Sequence, residues 1–394
     1  MQSIALYFGI FLFYQTLLSC QNPIAPTSND GQLLWSARIS SQLTEGEFPK
    51  LLHKNIVISH AIQRGSSILV ALDKNSGKEL WKWDDKIDAH EIRIKHIHFH
   101  QNILVWRYAG RVYGINLDNG QTVWKERATH PPGWAGNDDI SGLGERFLFH
   151  SGDKEYFSGN TNQGGIKQYP LLSTPPRTWH SSTKMFLNAL PNLLENAALN
   201  DTIAILPFGI PTGEQEIGFT MFNFTQNKEI YTSRLPGDTS GVFFLPPTLH
   251  EGKLYFPSGS YILAFELKSG KLLWKENFPS LFSGSGIIYH DDMIIGNCED
   301  TFMYALDAKT GKQLWATKTA GTSSRLFEMN GVIYMTGGGL LHAIDAKTGK
   351  HIWKKESPDL QRNSGAWFFD SVTGADGKIY VSSYLSLFCY KAAR

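Results

Sequence analysis

The sequence predicts an all-β chain folded as a ring: an eight-bladed β-propeller of four-stranded antiparallel blades, closed by an N-terminal strand joining the C-terminal blade. Three observations predict it. A short motif recurs and ends each time in an aromatic residue, turn residues stand at fixed places inside each copy, and the two ends of the chain carry complementary fragments of one unit. "ALDAKTGKQLW" at 305–315 and "AIDAKTGKHIW" at 343–353 are near-identical, while "ALDKNSGKELW" closes at Trp81, "GINLDNGQTVW" at Trp124 and "AFELKSGKLLW" at Trp274. With the truncated "GQLLW" at Trp35, the aromatic recurs every 38–46 residues except across the 150 residues between Trp124 and Trp274. That stretch divides if "GNTNQGGIKQY" at Tyr169 and "FNFTQNKEIY" at Tyr231 are degenerate copies, which makes eight units, one of them enlarged to 62 residues.

Within a unit each element has a local cause. In "GVIYMTGGGLLHAIDA" two alternating runs flank a glycine turn, which predicts strand, turn, strand. The Asp opening "DAKTG" can accept from its own backbone in an Asx-type turn, and the Gly that follows takes the left-handed conformation of a bulged hairpin. "KHIW" then starts another strand, so the closing aromatic falls on the last strand of its unit. One four-stranded sheet cannot bury both faces alone, whereas a ring of such sheets can. Burying a Trp removes roughly 150–250 Å² from water, on the order of 4–6 kcal/mol gross at about 25 cal/mol per Å². The repeat aromatics Trp35, Trp81, Trp124, Tyr169, Tyr231, Trp274, Trp315 and Trp353 therefore read as structural wedges between blades. At the ends, "GQLLWSARI" supplies only a last strand, and "GKIYVSSYLSLFCYKAAR" supplies earlier strands and stops before any "GKxxW". Residues near Trp35 are expected to complete the sheet of Lys378 to Lys391 and so hide two open edges.

The pattern A-x-D-x-x-T-G-x-x-x-W, met closely at Ala71–Trp81, Ala305–Trp315 and Ala343–Trp353, resembles the repeat of the pyrroloquinoline quinone (PQQ) propeller superfamily over nearly the whole chain after residue 30. In length and leader the chain is most similar to the propeller lipoproteins of the outer-membrane β-barrel assembly machinery. The superfamily contains quinoprotein dehydrogenases as well as scaffold lipoproteins, so the motif carries the fold and not the function.

The leader points to the cell envelope. Residues 4 to 18 are mostly apolar and too few to span a bilayer, as in a signal-peptide core. Leu17-Leu18-Ser19-Cys20 resembles a bacterial lipobox, although no Lys or Arg precedes the apolar run and Leu18 is an unusual choice there. The expected organisation is a lipoprotein-type signal peptide at 1–19, lipidation at Cys20, a tether at 20–30 and the propeller at 31–394. Gln21 stands where an Asp would signal inner-membrane retention in the resembled lipoproteins, which implies the outer membrane. A net charge of +1 without a long basic run argues against nucleic acid as a partner, and the chain is expected to be a monomer. Cys298 and Cys389 fall in the sixth and eighth units, too far apart for a disulfide, and read as buried small hydrophobes.

Function is expected in the long links between units, which cross one rim of the ring. The links after Trp124, Tyr169 and Trp353 carry Trp134, Trp179 and Trp367 in the company of His130, Asp138, Arg177, His180 and Arg362. This mixed aromatic and polar rim suits a protein partner or a small ligand, unless the tryptophans only anchor their own loops. "MFLNALPNLLENA" in the second link reads as a short helix broken at Pro191. His96, His98 and His100 alternate on one strand face, either as metal ligands or as a polar surface toward a wet central channel. The enzymes of the resembled superfamily imply a vicinal cysteine pair against PQQ and a Glu/Asn/Asp calcium set; no two cysteines here are adjacent, and Asp138–Asp139 and Asp291–Asp292 have the look of exposed turns. The expectation is a non-catalytic envelope lipoprotein that binds proteins, without a resident cofactor. The alternatives are a PQQ- and Ca²⁺-dependent dehydrogenase and a carbohydrate- or small-ligand-binding surface protein.

Overall fold

The computed structural model describes residues 31–41, 46–47, 49–88, 92–93, 97–108, 110–127, 140–151, 155–168, 192–196, 201–210, 216–223, 226, 228–236, 247–282, 285–321 and 323–394. Among these residues there are eight four-stranded antiparallel sheets and one short parallel pair, Gly46–Glu47 with Ile92–Arg93. Seven sheets are consecutive meanders, beginning at Leu51, His98, Ser141, Asn192, Thr248, Ile287 and Phe327. The eighth takes three strands from the end of the chain, Thr373–Ala375, Lys378–Ser382 and Ser386–Lys391, and its outer strand, Leu33–Arg38, from the beginning.

The repeat motif builds the same outer hairpin each time. Asp73 Oδ1 accepts from the backbone N–H of Asn75 and Ser76 and from the Ser76 hydroxyl, and Asp307 does the same with Lys309 and Thr310. These donors, the hydroxyl foremost, hold both carboxyls below the usual carboxylate range. The register slips by one residue just inside the turn, between Ala71 and Leu72, Ala305 and Leu306, and Ala343 and Ile344, as a bulged hairpin requires. The motif's opening small residue lies directly across from its aromatic: Ala71 from Trp81, Ala264 from Trp274, Gly114 from Trp124. In the eighth sheet Cys389 takes that place opposite Trp35. The sequence expectation for both cysteines agrees with their state, free and buried.

Each repeat aromatic among the described residues reaches the turn of the next sheet. The indole N–H donates to the carbonyl one residue after the turn-opening residue: Trp35 to Lys74, Trp81 to Leu117, Trp124 to Thr161 and Trp274 to Ala308, at 2.8–3.1 Å; the Tyr231 hydroxyl donates to Leu267 in the same way. The ring then lies on the turn glycine. Gly77, Gly120, Gly164, Gly270, Gly311, Gly349 and Gly31 all have φ between +68° and +76°, and a Cβ on any of them would stand 2.5–3.1 Å from the preceding sheet's aromatic ring. Glycine is required twice over, by the left-handed backbone and by the indole above it. Gly31 supplies the turn of the eighth sheet, whose two halves come from opposite chain ends: the Lys391 N–H donates to Gln32 O and the Ala392 N–H to Gly377 O, as Asp307 does to Lys312 and Ala308 to Asp292.

Hydrophobic clusters fill the seams. Leu69, Leu104 and Trp106 belong to the seam of the first and second sheets, Phe147 and Val105 to the second and third, Phe219 and Phe256 to the fourth and fifth, and Ile294 and Ile262 to the fifth and sixth. Ile295 and Ile333 join the sixth to the seventh, Tyr334 and Phe388 the seventh to the eighth, and Tyr380 and Val57 the eighth to the first. The third and fourth sheets meet through Ser141–Leu143 and Asn192–Asn196. That last strand corrects one expectation: Asn192–Asn196, read from sequence as the end of a helix, pairs with Asp201–Ile205, because sheet pairing outweighs the helical preference of "NLLEN".

Truncating Trp274, 9 % exposed and bonded to Ala308, to Ala is expected to lower unfolding free energy by about 3–5 kcal/mol in urea denaturation. Truncating its exposed neighbour Leu273 is expected to change it by about 0.5 kcal/mol or less.

Candidate functional site

In such a meander the turns between strands one and two and between three and four lie on one side, and the turn between two and three lies on the other. The repeat motif therefore occupies one face, the turn face, and the links between sheets fall on the opposite link face. The link from the seventh to the eighth sheet is fully described. Ser357 caps a 3₁₀ turn over Pro358–Gln361, and buried Asp359 accepts from the Ser383 hydroxyl at 2.6 Å. Ala366 and Phe368 are buried, the Phe368 N–H donates to Gly339 O, and its ring meets Phe388 edge to face. These residues anchor the link.

Trp367, between them, points outward and is 46 % exposed. Its position is nevertheless fixed. The indole N–H donates to the Tyr384 hydroxyl at 3.2 Å, Tyr384 stacks on Phe369 at 4.0 Å and 7°, and the Trp367 Cβ closes over Gly339, whose φ is +80°. A side chain on Gly339 would meet it at 3.2 Å. Arg362 is exposed on the same link. The result is a preorganised aromatic platform with a guanidinium on its own link, chemistry that favours contact with another polypeptide.

The same link supplies one half of a pair that sequence reading missed. Lys50 Nζ, at the entry to the first sheet, is 2.5 Å from Asp370 Oδ2, at the entry to the eighth, and both side chains are almost wholly buried. Lys50 also donates to Ser371 O, and Thr336 Oγ1 donates to Asp370 O. "FPKLL" and "FFDSV" contain no motif that pairs residues 320 positions apart.

The other predicted residues divide. Cys20, His96, His130, Trp134, Asp138, Asp139, Tyr169, Arg177, Trp179, His180 and Pro191 lie outside the described residues. Asp291 and Asp292 form the left-handed turn between two strands of the sixth sheet, with Asp292 accepting from Tyr289. His98 does not face a wet channel: it is buried between the second and third sheets, its Nε2 3.0 Å from Gly144 O and 3.1 Å from Thr161 Oγ1, and Gly142 leaves room for its ring. Among the described residues no three His, Cys, Asp or Glu side chains gather as metal ligands. Among the described residues no set fits a calcium-bound quinone either. The two carboxylates buried among the described residues, Asp359 and Asp370, are committed to Ser383 and Lys50. The two described cysteines lie in separate sheets, and burial pushes their thiols up, Cys298 to about 11 and Cys389 to about 12.

Comparison with known proteins places the chain. The family described as outer membrane protein assembly factor BamB matches residues 23–152 and 220–394. BamB from Moraxella catarrhalis superposes with a TM-score of 0.62 at 15 % identity, covering 91 % of this chain and 97 % of that one. Quinohemoprotein alcohol dehydrogenase from Comamonas testosteroni superposes with a TM-score of 0.67 at 12 % identity, covering 93 % and 77 %. At such identities these likenesses speak to the β-propeller fold alone. Among curated proteins, tetrathionate hydrolase from Acidithiobacillus ferrooxidans is 22 % identical over 263 residues, 62 % of this chain and 48 % of that protein; the chain spans about half the length of that relative.

Burial lowers the pKa of His60 to about 3 and of His98 to about 4. Both are neutral when folded and take up protons on unfolding, so stability is full above about 6.5 and falls as pH drops toward 4. For His98 the loss is on the order of 3 kcal/mol, and His98→Gln is expected to flatten the pH dependence of the urea midpoint between pH 7 and pH 4.5.

Proposed function

The chain belongs to the outer membrane protein assembly factor BamB family, and on that premise we propose that it is a non-catalytic scaffold of the cell envelope that holds other proteins on its link face. In this reading the eight sheets are the blades of one closed propeller, shut where Leu33–Arg38 pairs with Ser386–Lys391. Residues 1–19 are a signal peptide, Cys20 carries the lipid, residues 20–30 are the tether, and the protein is a monomer at the outer membrane. Its partners are envelope proteins, outer-membrane assembly components among them. The observation that carries the reading is Trp367: its neighbours Ala366 and Phe368 already anchor the link, yet the indole is held rigid and half exposed, as in a binding hot spot. The links bearing Trp134 and, with Arg177 and His180, Trp179 are proposed to extend the same surface.

A photo-crosslinking residue at position 367 is expected to capture an envelope protein, and one at Lys271 on the turn face is not. Trp367→Ala is expected to weaken the captured complex by about 30-fold, the equivalent of a 2 kcal/mol hot spot, without moving the thermal midpoint. Equal capture at both positions would sink the reading. The quinoprotein alternative is tested separately: a ligand at 100 times its dissociation constant adds about 2.7 kcal/mol, so PQQ with Ca²⁺ is expected to leave the melting curve unmoved, and a clear rise would favour the enzyme.

A further inference from the structure

Two histidines in the seam between the sixth and seventh sheets take no part in the function proposed above. His342 lies on the third strand of the seventh sheet and His351 on its fourth, with ring centres 5.6 Å apart at 43°. His342 Nε2 is 3.0 Å from Gly337 O, and His351 Nε2 is 3.0 Å from Lys318 O on the outer strand of the sixth sheet. A carbonyl can only accept, so each Nε2 carries the proton and each Nδ1 a lone pair. Both Nδ1 atoms are buried without a hydrogen-bond partner. Two such unmet acceptors cost about 1–3 kcal/mol each, a burden that asks for an explanation.

An imidazole that gives one N–H to a backbone carbonyl and leaves its other nitrogen bare is in the form that ligates metal. Metal–nitrogen bonds of about 2.0–2.1 Å put two rings that share one ion about 5–6 Å apart centre to centre, and the observed separation meets this. Met335, fully buried, pairs directly with His342 across the neighbouring strand and so shares its face. No carboxylate or thiol joins the two imidazoles among the described residues, and Lys354, the register partner of His342 on the other side, adds positive charge. A dication that needs four to six ligands is poorly served here. A soft ion content with two nitrogens and a thioether is well served.

We propose that this seam binds a soft monovalent cation of the Cu(I) class, ligated by Nδ1 of His342 and Nδ1 of His351 with the Met335 sulfur beside them. Burial supports the arrangement by keeping both rings neutral: it lowers the His342 pKa to about 4 and also lowers that of His351.

The test is an anaerobic competition for Cu(I) between the full chain and a chromophoric Cu(I) chelator, repeated with Cys20, Cys298 and Cys389 changed to alanine so that thiols cannot account for binding. The expected result is one equivalent retained by both proteins, with affinity reduced about tenfold or more by His342→Gln and by His351→Gln, and nitrogen ligation in X-ray absorption. If His342→Gln does not fold by circular dichroism, His351→Gln on the outer strand decides. No retained Cu(I), retention lost only with the cysteines, or equal affinity in the folded histidine variants would each overturn the site and leave the scaffold reading untouched.

Discussion

The contact on which the molecule rests is an indole lying on a glycine. Within a sheet the backbone ladder is sufficient, but nothing in the ladder says how one sheet meets the next. That is settled by the described aromatics of the outer strands, which cover a left-handed glycine and, at Trp35, Trp81, Trp124, Tyr231 and Trp274, donate to the carbonyl of the same turn. The same contact dictates its surroundings. The residue across the ladder from each repeat tryptophan is small, as at Ala71, Gly114 and Cys389, whereas the narrower Tyr231 faces Met221. The turn must be pinned, hence the Asp that collects its own backbone N–H groups. Two residues beyond the aromatic, Thr317 and Ser233 bond the next turn's glycine carbonyl, and Glu126 accepts from Gly165 and Ile166. A motif of eleven letters is thus the sequence image of an interface between two units.

This explains why much of the fold was legible. The interface recurs and each copy confirms the others, so Tyr231 could be placed as a tryptophan substitute before its hydroxyl was seen on Leu267. The broken unit was legible for the same reason, because Gly31 and Trp35 are half of a known motif and Lys391 sits where the other half should be. What sequence could not supply is unrepeated. Lys50 and Asp370 meet once, through long-range closure, and neither has a local pattern. His98 was assigned to the right strand and the wrong environment, since alternation gives a face and does not tell what covers it. "NLLEN" favours a helix in isolation and is a strand because Asp201–Ile205 is there to pair with it. At the candidate site, Trp367 was legible as an oddity outside the motif, whereas its rigidity depends on Tyr384 and Gly339, which no spacing connects to it.

The two faces divide the demands on the sequence. The turn face is held to a motif, because altering it alters a seam. The link face is held only to returning the chain to the next inner strand, which leaves length and chemistry free. A single scaffold can therefore carry unrelated activities among its structural relatives, a dehydrogenase and an assembly factor among them. In this chain the described part of that freedom is spent on a buried ion pair that joins the first and eighth sheets and on an aromatic platform, resting on Gly339 and Tyr384, that leaves the Trp367 ring half exposed.

Gly31 also fixes a polarity. It lies under Trp353 in a motif turn, so the chain enters the eighth sheet from the turn face, the side away from Trp367. If the segment before it is moored to a bilayer, the moored side is the one that carries the repeated turn, and the side that differs from sheet to sheet looks away from the lipid. Such a mooring would do more than hold the protein near a membrane: it would aim the variable surface away from the lipid, and a partner reaching Trp367 would meet it without competing with the lipid for the same ground.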